Sequence, residues 1–120
     1  MTRQVRGIGV DVVDLARFAE TLERTPGIRE RLFTGDERDL PLESLAGRFA
    51  AKEALVKALR GSHGLSWTDV EVVVDDRGAP SFRLFGPARD RCDQLGVTAL
   101  HLSISHDTTV ATAFVVAEEG

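Results

Sequence analysis

The segment SLAGRFAAKEALVKAL, Ser44 to Leu59, constrains the fold of this chain more than any other. It holds no proline and is rich in alanine and leucine, residues that lose little on entering a helix. At roughly 100° per residue, Leu45, Phe49, Leu55, Val56 and Leu59 share one broad arc and should face a core. Gly47, Ala51, Ala54 and Ala58 form a second stripe, small enough for another backbone to approach closely. A helix packed on two sides is expected to be central. Ser44 is expected to cap it, and Gly61, ahead of Ser62-His63-Gly64, to stop it.

The other elements arrange themselves around that helix. Ile8, Val10 and Val12 alternate with Gly7, Gly9 and Asp11, which reads as a first strand ending near Asp14. Asp14 then caps a helix running to about Arg24, where Thr25-Pro26-Gly27 stops it. A short helical piece, Ile28 to Phe33, is followed by turn and loop signals over 34–43. Val70 to Val74 and Phe82 to Phe85 read as hairpin strands joined by Asp75-Asp76-Arg77-Gly78. Gly86-Pro87 opens a helix that Gly96 terminates, and Leu100 to Ser105 and Val110 to Val116 are the last two strands. The order β-α-α-α-β-β-α-β-β predicts an α+β fold, a mostly antiparallel sheet with helices packed on it.

With 120 residues, 42% of them apolar, and neither a repeat nor a linker-like stretch, residues 1–120 are expected to form one domain. A chain this short buries only about two thirds of its unfolded surface, so an oligomer interface would supplement its core. The single Cys92 excludes an internal disulfide and reads as a packing residue. A net charge of −4 argues against wholesale attraction to nucleic acid, so an anionic partner must meet a local basic patch. The N-terminal stretch lacks the apolar run of a signal peptide, and no segment approaches the roughly 20 apolar residues of a membrane span. A cytoplasmic location is expected.

Glu53 and Lys57 are i,i+4 neighbours, which on the helix alone describes a surface ion pair worth about 0.2–0.5 kcal/mol. Asp11, near the end of the glycine-flanked strand, changes the reading. Two carboxylates from different elements suit a hard divalent cation that takes oxygen ligands and keeps waters for a phosphate substrate. GIGVDVVD departs from a dinucleotide-binding loop, since Val12 stands where the third glycine belongs, and a Walker A loop is absent. In HLSISHD, Ser103 and Ser105 share one face of a strand with no nucleophile elbow around either, and His106 reads on pattern alone as a turn residue.

Three blocks in order, GIGVDVVDLARF, LAGRFAAKEALVKAL and LSISHDTTVATAFVV, resemble the holo-acyl-carrier-protein synthases, the small 4′-phosphopantetheinyl transferases. LSWTDVEVVVDDRGAPSFRLFGPA fits the same family's central hairpin, so the resemblance covers nearly the whole chain. It implies transfer of the 4′-phosphopantetheine arm from coenzyme A to a serine of an apo acyl carrier protein, releasing adenosine 3′,5′-bisphosphate. It also implies dependence on Mg²⁺ and a homotrimer with active sites between subunits. Asp11 and Glu53 would be the metal ligands, Lys57 would hold a coenzyme A phosphate, and Arg48, Gly61 and His106 would be further coenzyme A contacts. Arg17, and more weakly Arg24, would dock the acidic carrier, with Arg29 and Arg31 extending the patch. The proton of the carrier serine would go to Glu53 or to a metal-bound water. The rival from another class is a module that binds coenzyme A or carrier protein without transfer; Asp11, Glu53 and Lys57 together speak against it.

Two departures from the family pattern stand out. DLPLES precedes the central helix where relatives often carry several basic residues, and Arg60 occupies the place of a usual glycine.

Overall fold

A computed structural model describes residues 2–120. Strand β1 (Gln4–Asp14) leads directly into helix α1 (Leu15–Arg24), followed by α2 (Ile28–Leu32) and the long α3 (Leu42–Ala58). A 3₁₀ turn (Trp67–Asp69) precedes β2 (Val70–Val74) and β3 (Pro80–Leu84); α4 (Gly86–Leu95), β4 (Ala99–His106) and β5 (Val110–Glu119) complete the chain. The expected α+β order holds. The sheets number two: a three-stranded antiparallel sheet in the order β1-β5-β4, and a separate β2-β3 hairpin.

Local chemistry explains the boundaries. Asp14 caps α1 by accepting the Arg17 backbone N–H at 2.9 Å. The Asp75 carboxylate accepts the N–H groups of Arg77 and Ala79, both at 2.9 Å, and shapes the hairpin turn around Gly78. The start of α3 corrects the expectation for Ser44: the helix begins at Leu42 with Pro41 at its N-cap. Proline has no N–H to leave unsatisfied, and its φ of −60° is already suited to entering a helix, so the helix opens before the serine.

Helix α3 is buried on most of its circumference. Leu45, Leu55 and Leu59 are fully enclosed, whereas Phe49 and Val56 are only half buried. The stripe of small residues lies against the three-stranded sheet. A Cβ placed on Gly9 would lie 1.9 Å from the Ala54 carbonyl oxygen, and one on Gly7 would lie 1.9 Å from that of Ala58. The inward positions of β5 are Ala111, Ala113, Val115 and Ala117, all buried. Helix and sheet therefore touch nearly backbone to backbone.

That approach turns β1 inside out. Gly7, Gly9, Asp11 and Val13 face the helix, while Ile8, Val10 and Val12 point outward at 60%, 51% and 61% exposure, beside Phe114 of β5 at 45%. The outer sheet face is an exposed apolar patch.

On its other side α3 holds a buried ion pair. The Lys52 ammonium donates to Glu37 at 2.6 Å, to the Leu32 carbonyl at 2.8 Å and to the Trp67 carbonyl at 3.2 Å. Glu37 also accepts the backbone N–H groups of Thr34 and Val72. Burial pushes the Lys52 ammonium below its ordinary pKa, with Glu37 opposing that shift. Both side chains are enclosed, so removing one leaves the other charged and desolvated. Lys52→Ala should cost about 3–5 kcal/mol in urea unfolding, and Lys52→Met combined with Glu37→Gln should recover a large part of it. A loss below about 1 kcal/mol in Lys52→Ala would contradict this role.

Candidate active site

The glycines of β1 and the alanines of α3 bring Asp11 beside the last turns of the helix. Lys57 donates to Asp11 Oδ1 at 3.1 Å and to the Val10 carbonyl at 2.9 Å. The lysine's ion pair thus crosses from helix to strand, instead of closing along the helix to Glu53 as the i,i+4 spacing suggests. Thr112 of β5 donates to the Asp11 carbonyl at 3.0 Å and fixes the strand from its other edge.

Glu53 is half buried near the same point. Its carboxyl is pushed above the usual glutamate range, first by burial, then by the negative charge of Asp11, with Lys57 opposing both. A glutamate raised by burial and by a neighbouring carboxylate's charge is in an arrangement that a cation relieves. The donor set is hard oxygen, and among the described residues no group of three or more His, Cys, Asp or Glu side chains gathers that could hold a metal ion. Two carboxylates with the remaining positions left to water and phosphate fit Mg²⁺, which dehydrates reluctantly and is bound through one or two carboxylates plus substrate phosphate.

Arg48 and His106 form a second patch. They line a cleft of about 260 Å³ with Ser44, Gly47, Ile104 and the hairpin residues Val74, Gly78 and Pro80. His106 Nε2 lies 2.9 Å from the Glu43 carbonyl, so that nitrogen carries the proton and donates. Arg48 is desolvated: burial pulls its guanidinium down against the opposing charges of Glu37 and Glu71, and its Nε is buried with no partner among the described residues. An arginine left in that state lacks an acceptor.

Within one chain these two patches are separate. Arg48 and Glu53 are five residues apart on α3, about 7.5 Å along the axis and on different faces. Gly61 lies in the loop after α3, with φ at 131°. Arg17 sits in the first turn of α1, three residues beyond the end of β1, and is exposed. Arg24 leans on Glu20 at 3.9 Å, with 79% of its side chain exposed. Arg29 donates to the Arg38 carbonyl, and Arg31 is exposed.

What the residue pattern missed is the Lys52–Glu37 pair beneath the site. Lysine in AAKEA carries no mark of burial, and its partner lies 15 positions earlier in a turn.

Comparison with known proteins finds relatives over nearly the whole chain. Residues 7–115 match the family model described as the 4′-phosphopantetheinyl transferase superfamily, ACPS. The holo-[acyl-carrier-protein] synthase of Clavibacter michiganensis is 61% identical over 114 residues, covering 95% of this chain and 96% of the relative. Among solved structures, the holo-ACP-synthase of Plasmodium yoelii superposes with a TM-score of 0.87 at 26% identity, covering 100% of this chain and 99% of that one. The Helicobacter pylori enzyme, in complex with coenzyme A, superposes at 0.79 with 34% identity, covering 92% and 98%. A full-length relationship at this identity, on a matching fold, places the chain in the 4′-phosphopantetheinyl transferase superfamily, among the holo-acyl-carrier-protein synthases.

Proposed function

We propose that this chain transfers the 4′-phosphopantetheine arm of coenzyme A to a serine of an apo acyl carrier protein of fatty acid or polyketide synthesis, through Asp11, Glu53 and Lys57. The observation that carries the assignment of the site is the meeting of the two carboxylates and the lysine across β1 and α3. The serine oxygen forms a bond to the phosphorus bearing the pantetheine arm, and the bond from that phosphorus to the bridging oxygen breaks. Adenosine 3′,5′-bisphosphate leaves with that oxygen. Asp11 and Glu53 would hold a Mg²⁺ ion, which would supply neutralisation of the negative charge on the diphosphate.

Lys57, held by Asp11, would add a second positive charge where the leaving group gains its negative one. Arg48, with an unsatisfied Nε, and His106 offer contacts to the nucleotide in the cleft they line, and Gly61 offers backbone to the same co-substrate. Arg17, near the end of β1, receives the acidic carrier beside the metal ligands, with Arg24 further along α1. The cytoplasm, where coenzyme A and carrier proteins occur together, is the expected compartment. Among the described residues no helix is long and apolar enough to cross a membrane.

The test is mass spectrometry of an apo carrier protein incubated with coenzyme A and Mg²⁺. A gain of one phosphopantetheine unit supports transfer. Tight binding without gain, or cleavage of coenzyme A without gain, overturns it.

The outer face of the three-stranded sheet supports a homotrimer whose active sites lie between subunits. Four large apolar side chains there are each at least 45% exposed, a patch that soluble monomers rarely leave open. It also offers a way for the Arg48–His106 cleft of one copy to meet the Asp11–Glu53 corner of another. Val10→Asp should give monomers by sedimentation velocity and lower kcat/KM at least about tenfold. Full activity in a monomeric variant would contradict the shared site.

A further inference from the structure

The β2–β3 hairpin forms a sheet of its own, with no ladder to the β1-β5-β4 sheet. Its far end, through Val74, Gly78 and Pro80, lines the cleft together with Gly47 and Arg48 of α3 and His106 of β4. The width of that cleft therefore depends on how the hairpin is fastened to α3. Val70 and Val72 are buried and supply apolar contact. Such contact is non-directional: it keeps the hairpin on the body of the protein but does not fix where it sits.

Directional bonds fix it. Glu37, in the turn between α2 and α3, accepts the Val72 N–H with Oε2 at 2.9 Å, doing for β2 what a neighbouring strand would do. Its Oε1 accepts the Lys52 ammonium at 2.6 Å and the Thr34 N–H at 3.0 Å. Lys52 in turn donates to the carbonyl of Trp67, in the 3₁₀ turn ahead of β2, at 3.2 Å. The Thr34 hydroxyl donates to Glu71 of β2, which also pairs with Arg83 of β3 at 3.3 Å. Turn, hairpin and helix are thus clipped together by one carboxylate and one ammonium, at 1% and 0% side-chain exposure and out of reach of any substrate. An apolar pair of similar volume is often as stable in such a place, so stability alone does not call for the charges. Lys52 also stands directly before Glu53 and one turn after Arg48, which anchors the clip on the stretch of helix that carries both halves of the site.

We propose that Glu37 and Lys52 are positioning residues: they hold the β2–β3 hairpin in the one placement on α3 that leaves the cleft wide enough, and no wider, for the nucleotide half of coenzyme A. The proposal rests on the transfer reaction proposed above. Neither residue touches the co-substrate; both act through the hairpin wall. A loosened clip leaves the hairpin attached by its valines but free to shift, so affinity for the nucleotide falls while the Asp11–Glu53 corner, built on β1 and α3, keeps its shape.

The experiment measures steady-state transfer from coenzyme A to apo carrier, calorimetric binding of adenosine 3′,5′-bisphosphate, and amide hydrogen exchange. The variants are Glu37→Leu/Lys52→Met, Glu37→Gln/Lys52→Met and, as a control, Val97→Ala. Glu37→Leu/Lys52→Met removes both acceptors of the clip. It should raise KM for coenzyme A and Kd for the bisphosphate about tenfold, with kcat held within about twofold and KM for the carrier unchanged. Amides of residues 70–74 and 80–84 should exchange faster, and those of β1 and β5 should not. Glu37→Gln/Lys52→Met keeps one carbonyl acceptor for the Val72 N–H, should shift both constants about threefold in the same direction, and reads the proposal even where the leucine variant does not fold. Val97→Ala opens a cavity at a buried position away from the cleft, and should lower stability without moving KM. The proposal is overturned if Val97→Ala moves KM for coenzyme A as far, if kcat or KM for the carrier changes instead, or if the hairpin amides exchange faster with KM unmoved. A wild type that transfers no arm brings down the reaction and this proposal together; transfer with bisphosphate binding unchanged in the double variants brings down this proposal alone.

Discussion

Glu53→Gln should lower kcat by at least about a thousandfold, roughly 4 kcal/mol of transition-state stabilisation, while the protein stays folded. Glutamine keeps the shape of the side chain and removes the negative charge that a metal requires. The fold should even gain in the absence of divalent ions. Because burial and Asp11 raise the Glu53 pKa, the folded chain holds that proton more tightly than the unfolded chain does. Stability from this group is therefore present at low pH and is lost as pH rises from the unfolded value through the raised one. Above the raised pKa the wild type carries the full disadvantage and the glutamine variant does not. Single-turnover transfer and thermal melts at pH 7 without metal read the two halves separately. Activity close to wild type would remove Glu53 from the mechanism.

Gly9→Ala tests the placement of the site instead of its chemistry. The added Cβ would lie 1.9 Å from the carbonyl oxygen and 2.8 Å from the carbonyl carbon of Ala54, both backbone atoms of α3. Neither can rotate away, so β1 and α3 must separate. The expected cost is about 3 kcal/mol or more in urea unfolding, and kcat should fall on the order of a hundredfold because Asp11 moves away from Glu53 and Lys57. Gly47→Ala is the contrast. Its Cβ would meet the His106 ring at 2.8 Å, a side chain that can turn aside, so the loss in stability should be smaller and the effect should fall on coenzyme A binding. Equal stability of Gly9→Ala and wild type would contradict the close helix–sheet contact.

The long helix and the hairpin are legible in the residues because both are written in local terms, through alanine-rich periodicity in one and a turn cluster in the other. Asp11 and Glu53 are legible only as a possible pair: on the helix alone Glu53 reads as a surface partner of Lys57, and it is the second acid, on a glycine-flanked strand, that suggests a shared cation. Three features lie beyond such reading. Alternation identifies β1 as a strand but does not tell which face is covered, and the usual assignment fails because the glycines, not the valines, admit the helix. Lys57 prefers Asp11, 46 residues away, over the glutamate one turn before it, since the close approach of β1 brings a better-placed acceptor. The Lys52–Glu37 pair depends on a turn folding over the helix, and nothing within either segment signals it.

The most direct measurement of the central claim, that Asp11 and Glu53 jointly hold the metal, is electron paramagnetic resonance of Mn²⁺ as a stand-in for Mg²⁺, titrated into the protein with coenzyme A present. The wild type should bind one ion per active site, and Asp11→Asn and Glu53→Gln should each weaken that binding by at least about tenfold. Undiminished Mn²⁺ binding in either variant, with the protein folded, would contradict the account.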